Sequence, residues 1–284
     1  MMPQLIDRRR LKADTRELLR SAQVNPKAMT ALYLILILVM NLADSLSGGM
    51  GSNLVGTFVS VLAFLLTSVL EAGFALYCMA VRQGQRAEFV TLFDGFSFVG
   101  KVIGLSLLRT LFIVLWSMLF VIPGIVASYR YRFAMYNLCE DPELSILEAM
   151  EMSKQQTMGY KGQLFVLDLS YLGWGVLSSL PSLIQVGYLY FLVLQDPYTY
   201  MANPEALLSA AAFSLAVSVG TWVWAIAVQL FYLPHYQCVE LGYFDIAKRT
   251  SGVGAGTRTP DQDEWNGWNG GNDRPGGPDD LGGY

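Results

Sequence analysis

The stretch Ile122–Leu138, reading IPGIVASYRYRFAMYNL, decides how many times this chain crosses a bilayer. Its apolar part, Ile125–Leu138, has 14 residues, whereas a helix needs about 20 to cross the hydrocarbon core. It also carries Arg130 and Arg132, which are costly in lipid. By length alone it reads as a re-entrant or core segment. The residues on either side decide otherwise.

Five longer apolar runs flank it. Ala28–Leu46 and Leu54–Val81 come first, the second holding Glu71. Val99–Ile122 has Lys101 at its entrance and Arg109 inside, Gln163–Leu183 contains Asp168, and Ala206–Leu233 is the least polar. If the disputed stretch crosses, every Lys and Arg lies on one side of the membrane or within a span. If it does not, Arg130, Arg132, Lys154, Lys161, Lys248, Arg249, Arg258 and Arg274 all fall outside. Cytoplasmic loops collect Lys and Arg. The reading is therefore an all-α polytopic transmembrane helical bundle of about six spans, with both termini cytoplasmic. Pro123-Gly124 is then an intramembrane turn, since proline lacks a donor and glycine tolerates the bend. Other helices must cover such a turn from lipid.

Composition agrees. Of 284 residues, 53% are hydrophobic and 15% charged, against about 25% charged in an average soluble domain. Mean hydropathy is +0.39. A soluble globule, a disordered chain, a collagen-like repeat and a disulfide scaffold are excluded. The net charge of −4 gives no basic field for nucleic acid. The first apolar run is too long and too far in for a cleavable signal and reads as a retained helix.

The domain plan is a transmembrane domain over 28–247 flanked by two cytoplasmic segments, residues 1–27 and a tail over 248–284. Leu5–Gln23 reads as a basic amphipathic helix, with Leu11, Leu18, Leu19 and Ala22 on one side and Arg9, Lys12, Arg16 and Arg20 mostly on the other. It lies in the headgroup layer of an anionic leaflet or is a solvated helix whose charges set topology. Ser145-Ile-Leu-Glu148 fits a capping box opening a cytoplasmic helix over Ile146–Met158, with Leu147, Met150 and Met158 sharing a face. Gln195–Glu205 reads as an outer loop. The Gly/Asp/Trp/Pro tail has no apolar periodicity and reads as disordered, with Trp265 and Trp268 as partner contacts the minor alternative.

Ionisable groups inside spans are usually paired or functional. Glu71 and Arg109 each lie ten residues from the inner end of their span, and the reading predicts that they meet. Arg130 and Arg132 are likewise expected to meet Asp168. This intramembrane polar cluster of Glu71, Arg109, Arg130, Arg132 and Asp168 is structural glue or lines a path, with glue favoured. His235 is the only histidine, and Cys78, Cys139 and Cys238 are scattered, so no metal site and no cofactor is expected. The sequence has no H-E-x-x-H, no P-loop, no G-x-S-x-G elbow and no G-x-G-x-x-G. Gly159, Gly162, Gly173 and Gly175 permit close helix packing, a weak signal.

The order of motifs resembles a known family. The motifs are L-E-A-G-F at Leu70–Phe74, F-D-G-F at Phe93–Phe96, I-P-G-I at Ile122–Ile125, L-S-I-L-E-A-M at Leu144–Met150, F-V-L-D-L-S-Y-L-G-W at Phe165–Trp174 and L-P-H-Y at Leu233–Tyr236. Together they resemble the bacterial integral-membrane family catalogued as domain of unknown function nine-seven-five. They are also distantly similar to the membrane domain of some glycerophosphodiester phosphodiesterases. The resemblance covers about Leu11 to Ala247 and implies a multi-pass inner or plasma membrane protein with no established activity. No phosphodiesterase catalytic domain accompanies it.

The expectation is a non-enzymatic multi-pass protein of the cell membrane that organises lipid or a partner in the envelope. Membrane lipids are its expected contacts, and protein partners would reach its N-terminal helix or tail. The alternative is a small transporter or channel component in which the charged cluster lines a polar cavity.

Overall fold

The computed structural model of the chain describes residues 5–22, 24–47, 54–195 and 204–254. The elements are α1 (Arg8–Ser21), α2 (Pro26–Leu46), α3 (Leu54–Arg82), a 3-10 helix (Phe89–Phe98), α4 (Val99–Leu119), α5 (Val121–Arg130), α6 (Ala134–Glu140), α7 (Ile146–Gln156), α8 (Lys161–Gln195) and α9 (Pro204–Ser251). No strand occurs among the described residues, so the bundle is all-α. Five of its helices are long and apolar enough to cross a membrane.

Local chemistry sets the starts. Asn25 caps α2, accepting from the Lys27 N–H at 3.0 Å, and Pro26 occupies the first turn, where its missing donor costs nothing. Ser145 and Glu148 form the capping box at α7, the Glu148 N–H donating to the serine hydroxyl at 3.3 Å and the Ser145 N–H to the carboxylate at 3.0 Å. The buried side of α7 is Ala149, Met150, Ser153 and Gln156. Leu147 and Met158, expected to share a face with Met150, point outward: a face built on Ile146 recurs at 149, 150, 153 and 156, which leaves position 147 on the other side.

The disputed stretch differs in detail from the expectation. Helix α4 ends at Leu119, and the bend is made by Phe120 in an extended conformation with φ −160° and ψ 153°. Pro123 and Gly124 are not the turn. They lie in the first turn of α5, where proline removes a donor that has no helical partner anyway. Gly124 instead permits close packing: a Cβ there would sit 2.0 Å from the Ser117 hydroxyl of α4. The expected single span over 125–138 is two short helices, α5 and α6, separated at residues 131–133. Packing rather than helix length carries the chain back. Gly124 abuts Ser117 at one end of α4, while at the other the Lys101 ammonium donates to the Pro142 carbonyl at 2.5 Å and Gly104 abuts Ile146. The segment thus runs antiparallel along the length of α4.

Helices α2 and α3 are also antiparallel, with Ser60 bonded to Asp44 near one end and the Tyr77 hydroxyl donating to the Val24 carbonyl near the other. Helices α8 and α9 pair the same way, the Trp224 indole N–H reaching the Leu177 carbonyl at 2.9 Å and Tyr160 meeting Thr250 at 2.9 Å. Both outrun their expected spans, α8 past Leu183 to Gln195 and α9 past Leu233 to Ser251. The segment 248–254, assigned from sequence to the tail, is ordered: the Gln156 amide donates to the Val253 carbonyl at 3.2 Å. The rest of the tail, with Trp265 and Trp268, and loop residues 196–203 lie outside the described residues.

The core gathers at the end of the bundle where Lys101 meets Pro142. There α6 is buried over Ala134–Cys139, and the fully buried Asn137 and Gln156 exchange two hydrogen bonds of 2.8 and 3.0 Å. Ion pairs tie this end together, Arg82 to Asp245 at 2.6 Å and Lys248 to Glu140 at 2.5 Å. Burial pushes the Glu140 carboxyl above its ordinary range, and the Lys248 ammonium opposes that rise. Toward the other end, exposed apolar side chains cover α2 (Ile35, Val39), α3 (Leu54, Phe58, Val61) and α4 (Leu111, Leu115, Met118), as lipid contact requires.

Candidate functional site

The break between α5 and α6 sets up the site. With residues 131–133 out of the helix, the Phe133 N–H is left to the Ser153 hydroxyl at 3.1 Å, and the Arg130 carbonyl accepts from Ser153 and Thr157 at 2.9 and 3.3 Å. This clamp from α7 fixes the backbone on both sides of Arg132. The Arg132 guanidinium then turns into the bundle.

There it meets two carboxylates. Asp168 of α8 accepts from Arg132 Nη1 and Nη2 at 2.7 and 3.0 Å, and Glu240 of α9 accepts from Nε and Nη2 at 2.7 and 3.1 Å. Forked contacts of this kind are the strongest that arginine makes. Two phenols complete the knot. Tyr129 and Tyr236 each donate to Asp168 at 2.7 Å, and Tyr236 also touches Arg132. One cation and two anions leave this knot with an excess of one negative charge.

Beside the knot lies a chamber of about 320 Å³. Its walls include Arg132, Tyr236 and Glu240 from the knot and Glu71, Arg109 and Gln237 from elsewhere. Glu71 sits deep among the helices yet keeps its surface open, because that surface faces the chamber. Arg109 is half-buried on the same wall. No hydrogen bond or ion pair joins the two directly. The chamber wall therefore holds one ion pair, Arg132 with Glu240, and one cation and one anion that face open space.

Of the residues singled out from sequence, Arg132 and Asp168 are brought together and Glu71 and Arg109 share a wall. Arg130 is elsewhere, its Nε buried without a partner and its guanidinium 5.8 Å from the Tyr131 ring. Glu240, Tyr236, Tyr129 and Gln237 were not anticipated. Tyr236 and Glu240 stand four apart on α9, beyond its expected end at Leu233. The recurrence of Tyr236, Val239, Tyr243 and Ala247 at helical spacing past that point is the signal that the helix goes on. The three cysteines are buried, and no metal-binding group of His, Cys, Asp and Glu occurs among the described residues.

No curated protein and no solved structure matches the chain. Residues 118–205 match a family described as Protein of unknown function (DUF975). That stretch includes Arg132 and Asp168 but not Glu71, Arg109 or Glu240. The match supports the resemblance to that family, and the chain is similar to it over the α4–α5 bend, α6, α7 and α8.

Proposed function

We propose that the chain is a plasma-membrane protein crossing six times with both termini in the cytoplasm, and that its chamber receives a small polar or ionic solute. It does so without catalytic chemistry of its own, as a transporter or channel component in contact with membrane lipid. One observation supports this over the lipid-organising role expected from sequence: Glu71 and Arg109 face a common space instead of each other. Unpaired charges inside a bundle are costly, and a purely structural cluster would close on itself as Arg132, Asp168 and Glu240 do. The second reading, a membrane-organising scaffold, draws its support from that closed knot and from the ion pairs beside it.

The test is access. Ser128 and Gln237 line the chamber, whereas Cys78, Cys139 and Cys238 are buried. In native membranes a small neutral methanethiosulfonate should modify Ser128→Cys and Gln237→Cys well above the unsubstituted chain. Folded variants that resist the reagent would favour a dry cluster and the scaffold reading.

A further inference from the structure

A second cavity opens where α1 lies against α8 and α9, with a volume of about 610 Å³; Tyr171 on its wall and Tyr236 on the wall of the charged chamber pack between the two, their ring centroids 5.1 Å apart. Helix α1 is seated by specific contacts. The Ile6 N–H donates to the Gln163 side chain at 3.1 Å, the Lys12 ammonium to the Ser170 hydroxyl at 2.9 Å, and His235 Nε2 to the Lys12 carbonyl at 3.0 Å. A carbonyl can only accept, so Nε2 carries a proton, and Nδ1 is free to accept from the Tyr171 hydroxyl at 2.6 Å.

This docking turns the basic side of α1 toward the cleft. Lys12, Arg16, Arg20 and Lys27 line it, and no acidic side chain does among the described residues. Arg16, Arg20 and Lys27 make no ion pair among the described residues. Lys12 stacks 4.1 Å from the Tyr171 ring centroid, and burial with the charges of Arg8 and Arg16 pulls its ammonium below the ordinary lysine range. Four cations held around one cleft repel one another, and a bound anion relieves that repulsion.

The opposite wall is apolar. Trp174 and Tyr232 stack with ring centroids 6.0 Å apart, and Phe231 at the rim is 64% exposed. Indole and phenol rings beside Lys and Arg are the composition of a headgroup-level belt. Pro234 has no N–H, so the Leu230 carbonyl on the cleft wall lacks its helical donor. It can accept from a headgroup hydroxyl. A free phosphate would use the cations and leave the aromatic wall idle, whereas a lipid uses both.

We infer that this cleft binds the phosphodiester headgroup of an anionic phospholipid, its acyl chains leaving past Phe231. The test uses the full-length protein in detergent, titrated with phosphatidylglycerol or phosphatidylcholine and read by native mass spectrometry. Phosphatidylglycerol should bind at low stoichiometry in preference to phosphatidylcholine. Arg16→Gln with Arg20→Gln should weaken it about thirtyfold, at roughly fivefold per basic side chain. Arg9→Gln with Arg10→Gln removes the same charge from the same helix outside the cleft and should change binding less than about threefold. Equal losses from both pairs, equal binding of the two lipids, or complete displacement by glycerol 3-phosphate would each overturn the proposal. Unchanged thermal unfolding of both double variants keeps the comparison free of folding defects.

Discussion

The guanidinium of Arg132 and the carboxylate of Asp168 meet through two hydrogen bonds, 2.7 and 3.0 Å long, across 36 residues of sequence. Their energetics are unequal. The Arg132 side chain is 15% exposed and that of Asp168 32%, while that of Glu240 is only 6% exposed. Arg132→Gln strands two carboxylates, one of them deeply buried, and should destabilise the folded protein by about 3–4 kcal/mol. Asp168→Asn leaves Arg132 paired with Glu240 and should cost about 1–2 kcal/mol. Thermal unfolding in detergent distinguishes the two, and equal small effects would mean that the knot is solvated.

Glu71 and Arg109 should behave as separate groups. In a contacting buried pair the double variant recovers much of the loss from either single one. Here Glu71→Gln and Arg109→Gln should combine almost additively, with a coupling energy below about 1 kcal/mol. A double-mutant cycle on unfolding free energy measures this, and a larger coupling would indicate direct contact.

Close backbone approach makes Gly73 and Gly124 sensitive. A Cβ on Gly73 would lie 1.8 Å from the Leu92 carbonyl oxygen of the 3-10 helix, and one on Gly124 would lie 2.0 Å from the Ser117 hydroxyl and 2.9 Å from the Ser117 Cα. Each Gly→Ala change should cost about 2–3 kcal/mol by overpacking. Ser117→Gly should rescue Gly124→Ala only in part, since it removes the hydroxyl but leaves the backbone of residue 117 in the way. At Gly100 nothing lies within 4 Å of a Cβ, and alanine there should be neutral or slightly stabilising.

The α7 cap gives a pH signature. Bonds from the Ser145 hydroxyl and backbone N–H hold the Glu148 carboxyl below its usual range. A depressed carboxyl stabilises the fold above its unfolded value, about 4.3, and loses that contribution as pH falls through the lower folded value. The stability gap between the native chain and Glu148→Gln should be present at neutral pH and shrink as pH falls below the unfolded value of about 4.3. Ser145→Ala should cost about 1 kcal/mol near neutral pH.

Much of the architecture is legible in the residues. The apolar runs of α2, α3 and α4 announce themselves by length, and the S-x-x-E motif marks the start of α7 to the residue. The α5–α6 segment is harder, because neither short helix has the length of a span and what returns it along α4 is contact at Ser117–Gly124 and Lys101–Pro142. The site divides similarly. Arg132 and Asp168 stand out as charges within apolar runs, whereas Glu240 hides in a polar-looking extension of α9 whose burial depends on α3 and α6 packing against it. That Glu71 and Arg109 share a chamber without touching depends on side-chain placement, which spacing along two helices does not determine.

Six crossings require that the segment after α4 return through the membrane, placing α7 on the side of the N-terminus. Single cysteines at Lys154 on α7 and at Ser47 after α2, exposed on intact cells to a membrane-impermeant maleimide, test it directly. Ser47→Cys should be labelled on intact cells and Lys154→Cys only after permeabilisation. Labelling of Lys154→Cys on intact cells would contradict the topology and, with it, the six crossings.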